Sequence, residues 1–407
     1  MAAPKKANKT IHRDSLTDVW QKHGPTGTGL LKSAGHINRR IVPSGLLALD
    51  AIMTKYGVPV GRWTSLFGDY NTAKSTTTYR TIANAWALYG MPAVIVDTES
   101  RYEPDVAELN GVEVDNGDAV MLSQWEPLDP RLSEKALAEK QTATIQSIAA
   151  LIRDFSNDPR VIEWIDRDTL QPCEDDNPNR TYRGGVFVID SLNAFMTKEK
   201  EEVLPDAAST LSFAVPKIIS QASGEWMGRI NARNMILMTT TQVRDNVQMM
   251  GGGGGGWTVP MGKAAKFFPS HIVEYKYVGK QEGDEGLDGR TIRLTMVKNT
   301  AGRFNYAREF ILTSGFGPDD VREVLEFGIA LGLYEQNGAF YRVWNPVTGE
   351  RMTFQGIKKA REYFNANPEL LMGCRENVRS KMIEKLEATE ETEDASDNAG
   401  REDTPGE

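Results

Sequence analysis

The segment from Arg62 to Gly90 constrains the fold of this chain more than any other, because it is typical of a strand, a phosphate-binding loop and a helix. Residues 62–67 are apolar and prone to form a strand. Residues 79–86 carry apolar side chains at the spacing of one buried helical face. A loop between two such elements is the setting in which a Walker A pattern binds phosphate.

The loop itself runs from Gly68 to Ser75 and nearly matches the pattern G-x-x-x-x-G-K-[ST]. In that pattern, backbone N–H groups and a helix N-terminus surround the phosphates. We expect Lys74 to reach the β- and γ-phosphates of ATP and Ser75 to bind Mg²⁺. Ala73 stands where the pattern has glycine, and a chance Lys-Ser pair at a helix start is the alternative interpretation. The loop residues expected to bind ATP are Gly68, Asp69, Tyr70, Asn71, Thr72, Ala73, Lys74, Ser75 and Thr76.

The length and composition of the chain favour a globular protein of two or three domains. It has 407 residues, of which 40% are hydrophobic and 25% are charged. No run is apolar enough to span a bilayer, and residues 1–13 lack the apolar centre of a secretory signal. Cys173 and Cys374 stand far apart, without metal-binding spacing. We therefore expect a cytoplasmic protein in a reducing environment, with no membrane partner.

The net charge of −9 is concentrated at one end of the chain. Residues 387–407 hold nine Asp and Glu residues against one Arg, which accounts for eight of the nine negative charges. The remainder is close to neutral, so a local basic groove for nucleic acid is compatible with the composition. The acidic end lacks the apolar residues needed to fold, and we expect it to be disordered.

Three apolar runs after the loop favour a doubly wound α/β core. Residues 93–97, 186–190 and 234–240 are mainly hydrophobic, as in parallel strands that are covered on both faces. Residues 133–156 predict a helix among them. This alternation of strands and helices predicts an α/β fold with a mostly parallel sheet. The remaining core strands are expected at 271–277, 291–298 and 308–313.

Composition shifts divide the chain into four parts. A helix over residues 15–22 in the first part is too short to be stable unless it docks on another surface. A polar segment at 158–183 reads as a surface loop inserted into the core. The four parts are a basic N-terminal segment with its short helix at 1–40, an α/β core at 41–314 that contains the insertion, a small α+β domain at 315–386 and a disordered acidic tail at 387–407.

Polar residues at the ends of the apolar strands are candidates for the chemistry. Asp190 ends a buried strand and fits a carboxylate that holds Mg²⁺, although a solvated strand end is the plainer interpretation. Glu99 follows the strand that ends at Asp97, where a carboxylate can orient a water for attack on the γ-phosphate. Taken alone, Glu99 would be an ordinary surface residue. Gln242 ends the next strand, where an amide can sense the γ-phosphate and relay its presence to the following loop.

Taken in order, these motifs closely resemble the RecA family of recombinases. The resemblance covers roughly residues 35–407 apart from the insertion, and the ordered set is far more specific than any one motif. It implies a RecA-type P-loop core, a short N-terminal helical segment for oligomerisation and a small C-terminal α+β domain. The segments that carry it are residues 68–75, 95–99, 188–191, 220–222, 242–244, 266–267 and 297–299.

The resemblance implies catalytic roles for Glu99, Gln242 and Lys298. Lys298 would contact ATP across a subunit boundary, and Glu103 would lie near the base, where the family has an aspartate. Two further positions depart from the family: Thr300 replaces a second lysine, and Val106 replaces an aromatic residue that stacks on adenine. These departures bear on the rate of ATP hydrolysis and on nucleotide selectivity more than on the fold.

For DNA, the resemblance implies two loops, at 197–210 and 243–262, that face the axis of a filament. Phosphate contacts with little base recognition suit a protein that accepts any sequence. The glycine run at 251–256 has a disordered connector as its alternative, and Trp257 stacks on a base or packs on a neighbouring subunit. The candidate DNA-binding residues are Lys217, Ser220, Arg244, Gly251, Gly256, Trp257 and Gly262.

The resemblance therefore implies an ATP-dependent DNA recombinase with DNA-dependent ATPase activity. Such a protein polymerises on single-stranded DNA as a helical filament, with ATP and Mg²⁺ as cofactors, and exchanges strands with a homologous duplex. Two alternatives stay open. One is a RecA-fold DNA-binding paralogue or accessory protein with little ATPase activity, which Ala73 favours. The other is a ring-forming helicase or loader ATPase, which the C-terminal domain and acidic tail disfavour.

Overall fold

The computed structural model describes residues 40–99, 101–114, 120–123, 145–192, 214–242, 267–282, 288–300 and 306–399. The chain divides into two units at Arg40, and the elements given below all belong to the unit that begins at Ile41. The helix expected over residues 15–22 and the two predicted DNA-facing loops lie outside the described residues.

Short antiparallel strands β1 (Ile41–Val42) and β2 (Val58–Pro59) precede the main sheet. The main-sheet strands are β3 (Trp63–Gly68), β4 (Ala93–Asp97), β5 (Val120–Ser123), β8 (Val186–Asp190), β9 (Ile236–Gln242), β10 (His271–Glu282), β11 (Asp288–Asn299), β12 (Ala307–Thr313) and β13 (Gly317–Pro318). Their order across the sheet is β13-β12-β11-β10-β3-β9-β8-β4-β5. The pairings from β10 to β5 are parallel and those from β10 to β13 are antiparallel. This mostly parallel sheet confirms the predicted α/β class.

Helices flank the sheet and complete the C-terminal part of the chain. They are α1 (Leu47–Asp50), α2 (Lys74–Tyr89), α3 (Pro104–Leu109), α4 (Ile145–Phe155), α5 (Ala214–Ala232), α6 (Asp320–Ala330), α7 (Gly356–Ala366) and α8 (Pro368–Ala399). Of the helix predicted over residues 133–156, the described part begins at Ile145. No helix in these ranges combines the length and apolar character needed to cross a bilayer.

Alternate residues of the central strands enter two hydrophobic clusters, one on each face of the sheet. In β4, Ile95 belongs to the cluster that contains Ile82 of α2. Its neighbours Val94 and Val96 belong to the cluster that contains Ile152 of α4. The strand is therefore covered on both faces, which explains why its sequence is a continuous apolar run. The parallel strands also place their carboxyl ends at one edge of the sheet, where the candidate polar residues follow.

The C-terminal module packs directly on the core. Val324 of α6 and Phe364 of α7 share a buried cluster with Leu47 of α1. Glu323 accepts hydrogen bonds from the N–H groups of Leu47 at 3.3 Å and Ala48 at 3.0 Å. A three-stranded antiparallel sheet completes the module, with β14 (Glu335–Asn337), β15 (Phe340–Trp344) and β16 (Arg351–Gln355). The central sheet continues past the predicted domain boundary at 315, because β13 pairs with β12.

Two segments differ from their predicted form. The insertion contains an antiparallel hairpin of β6 (Trp164–Asp166) and β7 (Arg180–Tyr182). Its fold is stabilised by the side chains of Trp164 and Tyr182, which stack at 4.0 Å between ring centroids, and the polar composition around them concealed this core. Helix α8 continues to Ala399, into residues that the composition predicts to be disordered. Glu and Ala in this segment are good helix formers, and the packed first half of α8 provides the nucleus for this extension.

Candidate functional site

The predicted phosphate-binding loop leaves β3 at Gly68 and enters α2 at Lys74. Gly68 has a φ of 141°, and a Cβ atom there would lie 1.9 Å from the carbonyl oxygen of Tyr275 in β10. Only glycine fits this close approach. Asp69 continues the attachment, since its Oδ2 accepts a hydrogen bond from Tyr277 N at 2.9 Å. The start of the loop is thus fixed to the sheet.

Ala73 ends the loop in the left-handed conformation, with φ 68° and ψ 25°. Glycine adopts this conformation freely, whereas alanine pays about 1–2 kcal/mol for it. Ala73 therefore holds a backbone conformation that glycine would adopt without this cost. Its methyl group is buried and belongs to the hydrophobic cluster that contains Ile82 of α2.

Lys74 is buried beneath the loop, and loop oxygens surround its ammonium group. Nζ donates to the carbonyl oxygens of Asp69 at 2.5 Å and Gly68 at 3.2 Å, and to Thr72 Oγ1 at 3.3 Å. Burial lowers the pKa of Lys74 to about 8, while the nearby carboxylates of Asp190, Asp69 and Glu99 act in the opposite direction. The ammonium is thus a poorly solvated cation enclosed by the loop, and a phosphate-binding site needs such a cation.

Asp190 and Ser75 meet at the carboxyl end of β8. Ser75 Oγ donates to Asp190 Oδ2 at 2.5 Å, and Thr240 Oγ1 donates to the other carboxylate oxygen, Oδ1. Burial raises the pKa of Asp190, although both hydroxyl donors favour its ionised form. The donor set is a carboxylate and hydroxyl oxygens, which are the ligands that Mg²⁺ prefers. The residues present therefore fit the ion that the sequence predicts.

Glu99 lies at the centre of a second polar cluster beside this pair. Gln242 Nε2 donates to Glu99 Oε2 at 2.9 Å and to Oε1 at 3.1 Å. Ser191 Oγ donates to Oε1 at 2.5 Å, and Arg101 Nη1 lies 3.0 Å from Oε2. The carboxylate that was predicted to orient a water is thus in direct contact with the amide that was predicted to sense the γ-phosphate.

Asp97 shapes the backbone that carries Glu99. Its carboxylate accepts hydrogen bonds from the N–H groups of Glu99 at 3.0 Å, Arg101 at 2.6 Å and Tyr102 at 2.7 Å. Three N–H donors on one carboxylate fold the segment into a tight turn. The position of Glu99 therefore depends on a buried side chain two residues earlier.

These groups line one cleft of about 260 Å³ at the carboxyl edge of the parallel strands. Tyr102 and Val106 form part of its wall, and Tyr102 packs edge-on against Tyr79 with 5.9 Å between ring centroids. The predicted ATP-binding, metal-binding and catalytic residues found in this cleft are Tyr70, Asn71, Thr72, Ala73, Lys74, Ser75, Thr76, Glu99, Glu103, Asp190 and Gln242.

Lys298 is not part of this cleft. It lies on β11, and its Nζ donates to the carbonyl oxygen of Phe267 at 2.6 Å. Burial lowers the pKa of Lys298. Thr300, two residues later, donates through Oγ1 to Ser270 O at 3.0 Å. A role for Lys298 at a nucleotide of the neighbouring subunit remains a prediction.

The predicted DNA-binding residues are only partly described. Lys217 and Ser220 lie on α5, whose backbone is described at these positions. The others lie outside the described residues: Arg244, Gly251, Gly256, Trp257 and Gly262. Their contact with DNA stays a prediction.

The polar residues that hold the predicted ones in place are not evident from the sequence. Thr240 and Ser191 donate to the two key carboxylates, and Arg101 pairs with Glu99. A signal was available for Thr240, since a hydroxyl residue two positions before the end of a buried strand needs a partner. Arg101 gave no such signal, because an arginine after a strand is usually an exposed residue.

A family model and curated relatives that resemble this chain agree on one family. A family model described as "RecA N-terminal domain" matches residues 11–152 and 182–316. The match therefore passes over residues 153–181, which contain most of the insertion, and ends where the C-terminal module begins.

Curated relatives are similar along most of the chain. Protein RecA of Aquifex aeolicus is 26% identical over 366 residues, which cover 90% of each chain. Protein RecA of Leifsonia xyli subsp. xyli is 26% identical over 370 residues, covering 90% of this chain and 88% of the relative. Protein RecA of Rickettsia africae is 25% identical over 384 residues, covering 93% and 96% respectively.

Proposed function

Because this chain belongs to the RecA family, we propose that it is an ATP-dependent DNA recombinase. It binds single-stranded DNA as a helical filament, pairs that strand with a homologous duplex and exchanges strands. ATP hydrolysis is stimulated by DNA and resets the filament. The observation that carries the proposal is the convergence of Lys74, Asp190 and Glu99 in one cleft at the end of three parallel strands.

Lys74 and the loop bind the triphosphate. The ammonium of Lys74 exchanges the carbonyl oxygens of Gly68 and Asp69 for phosphate oxygens, which carry a full negative charge. The N-terminus of α2 adds backbone N–H groups and the positive end of the helix dipole. Both effects favour an anion at this point of the cleft.

Ser75 and Asp190 are placed to hold Mg²⁺. Their oxygens are already 2.5 Å apart, and Thr240 holds the far oxygen of the carboxylate. The ion would neutralise the charge that develops on the phosphate oxygens. Burial raises the pKa of Asp190, and the hydroxyl donors on both of its oxygens oppose this shift only in part.

Glu99 acts as the general base. It accepts the proton of the water that attacks the γ-phosphate, and Asp97 fixes the backbone from which it reaches the cleft. Gln242 donates a hydrogen bond to Glu99 and lies at the end of β9, immediately before residues 243–262. A change of partner at Gln242 on nucleotide binding is therefore transmitted to the segment predicted to contact DNA.

Other predicted residues complete the proposal across subunits and along DNA. Lys298 contacts the nucleotide of the neighbouring subunit and stabilises charge on the transferring phosphoryl group only in the filament. Lys217, Ser220 and Arg244 bind the DNA backbone, and Trp257 with the glycines at 251, 256 and 262 contacts the strand within the second loop.

A second candidate function follows from Ala73. A RecA-fold accessory protein binds DNA and ATP but hydrolyses ATP very slowly, and the strained Ala73 is the observation that favours it. The intact contacts among Glu99, Ser191 and Gln242 favour the active enzyme instead.

The test is ATP turnover with Mg²⁺, with and without single-stranded DNA, for wild type, Lys74→Ala and a control, Lys381→Ala. Lys381 lies far from the cleft in sequence, on α8, and pairs with Glu384 at 2.7 Å. The proposal expects DNA-stimulated turnover in wild type and in the control, and none in Lys74→Ala. Binding of ATP and DNA without turnover would establish the accessory function, and no ATP binding in wild type would refute both.

A further inference from the structure

Arg101 occupies a place in the cleft that the proposed chemistry does not use. It lines the same cleft as Lys74 and Ser75. Its backbone N–H is held by Asp97 Oδ2 at 2.6 Å, so its main chain is fixed. Its side chain is 68% exposed, so the guanidinium can move without moving the backbone.

The partner of Arg101 is the proposed general base. In the structure, Glu99 has contacts to Gln242 from both oxygens, one to Ser191 and one to Arg101. A carboxylate has about four lone-pair positions, and these four contacts occupy them. Glu99 in this arrangement has no position left from which to bind a water. One of the contacts must break before the carboxylate can act as a base.

Gln242 is already proposed to change partner when it senses the γ-phosphate, and Arg101 is the other contact suited to break. Ser191 is buried and its N–H is bonded to Thr98 Oγ1 at 2.9 Å, so it is held in place. Ion pairs as exposed as Arg101–Glu99 contribute little free energy and exchange readily. A terminal phosphate carries more charge than Glu99 and accepts two parallel hydrogen bonds from a guanidinium. The guanidinium therefore prefers a γ-phosphate to Glu99.

We propose that Arg101 senses the γ-phosphate within its own subunit: it holds Glu99 inactive in the empty cleft and transfers to the triphosphate when ATP binds. The inference rests on the proposed function, since it names how the same site distinguishes ATP from ADP. A diphosphate ends before the γ position and leaves the Arg101–Glu99 pair intact. Arg101 is a positioning residue for the base and a specificity residue for the triphosphate.

The experiment is calorimetric binding of the non-hydrolysable analogue AMP-PNP and of ADP, each with Mg²⁺ and without DNA. Wild type is compared with Arg101→Ala, Arg101→Lys and Arg153→Ala. Arg153 is a matched control, because its side chain is 53% exposed and pairs with an adjacent surface residue, Asp154. Loss of a charged hydrogen bond predicts that Arg101→Ala binds AMP-PNP about tenfold more weakly and ADP within about twofold of wild type. Arg101→Lys keeps the positive charge but cannot form the two parallel hydrogen bonds. Its affinity for AMP-PNP should therefore lie between those of wild type and Arg101→Ala.

Equal losses for the two nucleotides, or no loss for either, would overturn the role of Arg101. Wild type that binds neither nucleotide would overturn the proposed function itself, and this inference with it. Wild type that binds both, with an unchanged affinity ratio in Arg101→Ala, overturns the Arg101 inference alone. Should Arg101→Ala lose its native circular dichroism spectrum, Arg101→Gln takes its place in the same comparison.

Discussion

Gln242 Nε2 donates hydrogen bonds to both carboxylate oxygens of Glu99, at 2.9 Å and 3.1 Å, across 143 residues of sequence. The contact joins the proposed base to the end of β9, from which the chain continues into residues 243–262. Under the proposed function, this pair of side chains would link nucleotide chemistry to DNA binding.

Glu99→Gln tests this pair from the side of the chemistry. The amide has nearly the shape of the carboxylate but cannot accept the proton of water, so DNA-stimulated turnover should fall by about 10²- to 10⁴-fold. Nucleotide affinity, measured by calorimetry, should stay within about threefold, because Lys74 and the loop are unchanged. Glu108→Gln, on the exposed face of α3, is the control and should behave as wild type. Parallel loss of nucleotide binding in Glu99→Gln would show that Glu99 is structural.

The strands of the core were predictable from sequence, whereas their polar contacts were not. Residues such as Val94 and Ile95 are apolar because both faces of the sheet are covered, and this is visible as a continuous run. The strand order that brings Glu99 beside Gln242 and Ser191 depends on β8 lying between β9 and β4. Periodicity within one segment contains no information on that order.

Several local backbone conformations were also not predictable from the sequence patterns. Ala73 departs from the loop pattern in the sequence, but its left-handed φ is set by the turn between β3 and α2. The hairpin of the insertion depends on one stacked pair, Trp164 and Tyr182, within a polar segment. The length of α8 depends on helix propensity in residues whose charge alone predicts disorder.

Ala73→Gly should stabilise the protein without abolishing nucleotide binding. Glycine removes the cost of a left-handed alanine, so the free energy of unfolding should rise by about 1 kcal/mol. Ala83→Gly, in the regular part of the same helix, should lower it by about 0.5–1 kcal/mol. Urea denaturation measures both variants. A loss of stability in Ala73→Gly similar to that in Ala83→Gly would contradict the strain at this position.

Lys74 predicts a pH dependence of ATP affinity. Its pKa is about 8 in the empty cleft because of burial, and phosphate binding raises it, since the bound anion favours the ammonium form. ATP affinity should therefore be highest below pH 8, and above that value it should fall by about tenfold for each further pH unit. Calorimetry in buffers of different ionisation enthalpy should detect proton uptake on binding near pH 9. Affinity that stays constant between pH 7 and pH 9.5 would show that Lys74 does not bind phosphate.

Glu323 predicts that the attachment of the C-terminal module weakens at high pH. Burial raises the pKa of Glu323 from 4.5 to about 7, and the nearby carboxylate of Asp320 acts in the same direction. Arg375, the N–H of Ala48 and Arg80 act in the opposite direction. Because the folded protein holds the proton of Glu323 more tightly than the unfolded chain does, this group contributes its full stability below pH 4.5. The contribution is lost as pH rises through 7. Relative to Glu323→Gln, wild type should lose about 3 kcal/mol of unfolding free energy between pH 5 and pH 8. Urea denaturation at both values measures it, and an unchanged difference would contradict the assignment.

The central claim is that this chain exchanges DNA strands with the use of ATP. The most direct measurement is transfer of a labelled strand from a duplex to a complementary single strand, with ATP and Mg²⁺, compared with a duplex of unrelated sequence. The account predicts transfer with the homologous duplex only, none for Lys74→Ala, and filaments on the single strand in negative-stain micrographs. Absence of transfer with the homologous duplex, under conditions where the protein binds both ATP and single-stranded DNA, would contradict it.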